Sequence, residues 1–190
     1  TNAAKEYQFE MDSTALALLN SLLEPLKVYG QTVVGQASVF LNGDRNVVRS
    51  SESELGNAIV DSMLESINAN EVFVEEFGEV QLGLMNSGGI RASISEGPVT
   101  VASVISVLPF GNVLSVQKVT GEQVYLMLEH GLSRVGEGKG EFGQFGKDFQ
   151  VVFDSSVPPG CGSCDDCESK CLTGVSKVSR VEAAYYKGEL

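Results

Sequence analysis

The stretch LMNSGGIRASI, residues 84–94, sets an apolar run, an amide, a glycine pair and an arginine one after another. An apolar run that stops at Gly88 and Gly89 reads as a short strand, 80–85, entering a tight turn. Consecutive glycines let the backbone approach a ligand closely, with N–H groups pointing outward. Arg91 adds a planar fork suited to phosphate or carboxylate. Asn86, at the strand end, carries both a donor and an acceptor, which suits the edge of a base. Strand ends of α/β sheets are where ligands gather. Taken alone, the same loop reads more readily as a tight turn followed by a solvated arginine.

Working outward, Leu16, Leu19, Leu22, Leu23 and Leu26 recur at helical spacing within 12–30, where Asp12 or Ser13 caps the start and Gly30 the end. Residues 32–46 alternate like a strand running into an Asn42-Gly43-Asp44 turn. A second amphipathic helix is predicted over 50–67, with Ser51 and Glu54 at capping-box spacing. Arg49 stands at its threshold, and a helix N-terminus with an added cation favours an anion. Thr100 caps a short helix that Pro109 stops, and 113–119 is strand-like. Thr120 with Gln123 opens a further helix whose buried stripe is Val124, Leu128 and Leu132. Two strands, 148–154 and 179–186, follow, and Lys187-Gly188 reads as the start of a hairpin turn. The alternation predicts a layered α/β (α+β) domain with helices packed on a mixed β-sheet, one unit across 1–190. With no return strand in the sequence, the last strand is expected to lie at a protected edge or the domain to be truncated at its C-terminal end.

A net charge of −12 over 190 residues repels phosphate polymers and anionic lipid surfaces, so no nucleic-acid polymer is expected as partner. No apolar run is long enough to span a membrane. No secretory signal is visible, and a start at Thr1 suggests a trimmed chain. Cys161, Cys164, Cys167 and Cys171 form a C-x2-C-x2-C-x3-C run within a cysteine-rich loop, 160–174. That spacing matches a bacterial iron–sulfur pattern, except that Leu172 stands where proline belongs and no second cysteine set follows. Two local disulfides in an oxidising compartment are the favoured reading, with zinc a third possibility.

The segments ESELGNAIVDSM (52–63), LMNSGGIRASI, GPVTVASVISVLPFGN (97–112), VQKVTGEQV (116–124) and LEHGL (128–132), in this order, resemble the C-terminal domain of the 5′-nucleotidase family. The resemblance runs from about Val33 to Tyr186. It implies that Arg49 and Arg91 grip substrate phosphate, that Asn86 hydrogen-bonds the base, and that Phe110 is one of two rings sandwiching it. Gly88 and Gly89 belong to the same loop, and Gly146 resembles a glycine lining the nucleoside pocket. The implied ligand is a nucleoside monophosphate or a related nucleotide, in an extracellular or periplasmic protein. Hydrolysis in this family belongs to an N-terminal domain with two divalent metals, and that domain is missing here. With one histidine, His130, given no catalytic role, the chain is expected to hold no metal or other cofactor and no catalytic residue of its own. The second stacking ring is also missing, and the cysteine loop looks like an insertion. The resemblance leaves two roles open: the substrate-binding part of a metal-dependent phosphohydrolase, or a non-catalytic extracellular module.

Overall fold

A computed structural model describes residues 12–157 and 180–187. The elements run α1 (Ser13–Gly30), β1 (Val33–Ala37), α2 (Arg45–Val48), α3 (Glu54–Asn68), α4 (Glu71–Phe77), β2 (Leu84–Asn86), a 3-10 turn (Ser87–Gly89), β3 (Gly97–Thr100), α5 (Val101–Val107), α6 (Gly121–Leu132), β4 (Gly143–Phe145), β5 (Phe149–Phe153) and β6 (Val181–Tyr186). The α/β class stands, but the single mixed sheet does not. Among the described residues the strands pair as three two-stranded antiparallel ladders, β1 with β3, β2 with β4 and β5 with β6.

Most helix starts follow local chemistry. Thr100 and Thr120 each form a complete capping box, with Ser103 and Gln123 respectively. The expected cap at Ser51 gives way to Ser53, whose hydroxyl accepts from the Gly56 N–H, so α3 starts at Glu54. The 113–119 stretch forms no strand: Val113 is 89% exposed, and among the described residues no strand pairs with the stretch.

Two apolar clusters hold the described chain. The first joins Val48, Leu55, Ile90 and Val107, drawn from α2, α3, the glycine loop and α5. Burying each such side chain stabilises the fold by about 1.5–3 kcal/mol. The second joins Leu128, Leu132, Phe142 and Val181. β5 supplies Phe149, Val151 and Phe153 to its edge at period two, while Gln150 and Val152 face outward. Arg180 locks β6 to α6: its Nη1 donates to Leu132 O at 2.6 Å and to Ser133 O at 3.1 Å, so a cation covers the end of the helix.

Candidate functional site

Three of the predicted contact residues stand just past a buried anchor. Arg49 follows Val48, Arg91 follows Ile90, and Phe110 lies three residues past Val107; all three anchors belong to the first cluster. The Arg91 N–H donates to Val107 O at 2.9 Å, which fixes the glycine loop against the end of α5. As a result the Arg91 guanidinium lies over the Phe110 ring, 5.8 Å from its centroid. The ring is 59% exposed and is no plug at the edge of the core.

Arg49 is 8% exposed. Its Nη1 donates to Gly138 O at 2.8 Å, and Arg45 Nη2 reaches the same carbonyl at 3.4 Å. Arg49 Nε is buried and has no hydrogen-bond partner among the described residues. Burial, then the neighbouring Arg45 and Arg91 cations, pull the Arg49 pKa below its ordinary value, while Glu141 acts the other way. An arginine remains charged through such a shift. The outcome is a patch of three like charges, whose mutual repulsion a bound anion would relieve.

The glycines have packing reasons of their own. A Cβ at Gly88 would lie 3.1 Å from Gly140 Cα, and one at Gly89 would meet Met85 Cε at 2.5 Å. The Gly88 N–H donates to Gly140 O at 2.9 Å and so is committed within the protein, not turned outward to a ligand. Gly146 lies apart from the arginines, buried against α3, where a Cβ would sit 2.6 Å from Asp61 Oδ1. A cavity of about 730 Å³ runs between α6 and β4–β5. Asn86 and Gly146 line it; Arg49, Arg91 and Phe110 do not. Asn86, exposed at the end of β2, thus lines the cavity from the strand that leads into the Arg91 loop. His130 lines the same cavity from the last turn of α6.

Two contributors escape a reading of the sequence. Arg45 is one helical turn before Arg49, and that spacing is the available signal. Gln144 carries no such signal, because its partners lie more than 90 residues away. Cys161, Cys164, Cys167 and Cys171 lie outside the described residues. Among the described residues no three His, Cys, Asp or Glu side chains gather as a metal ion would require, so these residues do not fit a two-metal centre. Nor is any described helix long and apolar enough to cross a membrane.

This order of anchors and contact residues has counterparts in known proteins. The family model for the 5′-nucleotidase C-terminal domain matches residues 33–185.

The chain belongs to that family.

Its 5′-nucleotidase relatives include one from Diplobatis ommata, 35% identical over 154 residues, which cover 78% of this chain and 26% of the relative. The trifunctional nucleotide phosphoesterase YfkN of Bacillus subtilis is 42% identical over 111 residues, 58% of this chain and 7% of that protein. The crystal structure of a 5′-nucleotidase precursor from Thermus thermophilus superposes with a TM-score of 0.67 at 35% identity, over 90% of this chain and 32% of that one. The chain thus spans about a quarter of the Diplobatis relative's length.

Proposed function

We propose that this chain is the nucleotide-binding part of a 5′-nucleotidase-type phosphohydrolase, with Arg49, Arg91 and the adjoining Arg45 taking the phosphate. Phe110 offers a flat apolar face to the base, and Asn86 a paired donor and acceptor to the base edge. Gly88 and Gly89 bring the loop close enough for Arg91 and Asn86 to act on one ligand. Gly146 shapes the wall of the neighbouring cavity. On this reading the metal-dependent chemistry falls to another domain of such a protein, and the residues named here bind and orient. The snake-venom 5′-nucleotidases among the relatives support an extracellular setting, or a periplasmic one in a bacterium. In such a setting the four cysteines form disulfides.

The observation that carries this reading is the cationic patch in a protein of net charge −12: three arginines whose charges act on one another, beside an exposed ring. Calorimetry with AMP tests it. Arg91→Ala is expected to weaken AMP binding by about 1.5–3 kcal/mol, the worth of a charge-assisted contact. Equal affinity for AMP with and without Arg91 would rule out the assignment. Adding the relatives' missing domain should then give metal-dependent phosphate release from AMP; tight binding with no release would mark a non-catalytic module instead.

A further inference from the structure

Gln144 is 1% exposed, yet its side chain is fully engaged. Nε2 donates to Val48 O and to Ser51 O, both at 2.8 Å, and Oε1 accepts from the Ser53 N–H at 3.2 Å. Only this orientation of the amide satisfies all three groups, since the flipped one would face oxygen to two carbonyls. The three backbone partners bracket Arg49. They join the end of α2, a helix of four residues, to the N-cap of α3. A single helical turn does not hold its own shape, so the amide supplies the bonds that a longer helix would have made. The Gln144 backbone, meanwhile, pairs with Met85 in the β2–β4 ladder, next to the Asn86–Gly143 pair. One residue therefore ties the strand that ends in Asn86 to the turn that carries Arg49.

We infer that Gln144 is a positioning residue that sets the separation between the phosphate-holding Arg49 and the base-reading Asn86. The inference rests on the proposed function above. It assigns no ligand contact to the Gln144 amide, which is spent on the turn it holds. Its effect reaches the ligand through Arg49, because displacing a contact group by about an ångström is enough to lose most of its worth. The phosphate subsite moves when the amide is lost, while the base contacts of Asn86 and Phe110 stay on β2 and at the end of α5.

The test compares AMP with adenosine, which lacks the phosphate, on the full chain and its variants. Gln144→Met removes all three bonds at nearly constant volume; Gln144→Asn keeps the amide but shortens its reach, and perturbs folding less. Each is expected to weaken AMP about tenfold while changing adenosine affinity less than about twofold. Arg49→Ala serves as the control and is expected to show the same selective loss. If the Gln144 variants weaken AMP and adenosine by one common factor, or neither, the positioning role is overturned while the phosphate site stands. If Arg49→Ala leaves AMP affinity unchanged, the phosphate assignment fails, and the positioning role with it.

Discussion

The reason for a glycine at position 56 is found at position 144. A Cβ at Gly56 would run into Gln144 Oε1 and lie 2.7 Å from Cδ. Gly56 is inside α3, where glycine costs about 1 kcal/mol relative to alanine. Despite that propensity, Gly56→Ala is expected to destabilise the protein, by about 1–3 kcal/mol, because the amide is pinned by three hydrogen bonds and cannot retreat. Urea denaturation measures it, and a variant more stable than the parent would show that the amide has room to move. The sequence announces residue types whose chemistry is strong wherever they sit, so Arg49, Arg91, Asn86 and Phe110 stand out in it as candidates. It is silent about Gln144 and Gly140, which matter only through what they touch: Gly140 is closely packed against Gly88, 52 residues earlier. Gly88 and Gly89 can be read as loop glycines, but not the reason for them, which is packing against Gly140 and Met85.

Elements built from neighbouring residues are readable, and elements built from distant ones are not. The boxes on α5 and α6 need only residues three apart. The α1 cap is equally local: the Asp12 carboxylate accepts from the Thr14 and Ala15 N–H groups at 2.8 and 3.1 Å. Those backbone donors, Ala15 first, lower its pKa from the ordinary aspartate value. A folded-state pKa below the unfolded one means a contribution that is present above the unfolded value and lost as pH falls through the folded one. Amide-exchange protection at Thr14 and Ala15 is therefore expected to hold near neutrality and to fall on acidification below about pH 4. Asp12→Asn keeps a cap without the titration, so its protection should stay flat across the same range. A parent protein with equally flat protection would show that the carboxylate does not hold the helix start. Ladder partners, by contrast, follow from tertiary geometry. The sequence carries no sign that β1 pairs with β3, across 60 residues, or that 113–119 finds no ladder partner among the described residues. Four residues show no periodicity, so α2 is invisible in the sequence, and with it the turn that aligns Arg45 and Arg49.

On the scale of the molecule, the leucine periodicity of α1 is a correct sign of a helix and a poor guide to burial. No residue of α1 is buried, and Leu18, Leu22 and Leu26 are 61%, 63% and 63% exposed. An apolar stripe declares which side of a helix avoids water, not whether the described chain covers it. Both clusters of buried residues are assembled without α1. A helix with no fully buried residue contributes little to the free energy of folding, since surface substitutions lie mostly within about 0.5 kcal/mol. Leu22→Glu together with Leu26→Glu is therefore expected to leave the unfolding midpoint nearly unchanged, glutamate and leucine being similar helix formers. Leu55→Ala, in the cluster that anchors Arg49 and Arg91, is expected to cost about 2–5 kcal/mol. The contrast between the two variants is the measurement. Comparable losses would mean that α1 is packed in solution against a surface it does not touch among the described residues, and that the stability of the arginine patch depends on that surface as well.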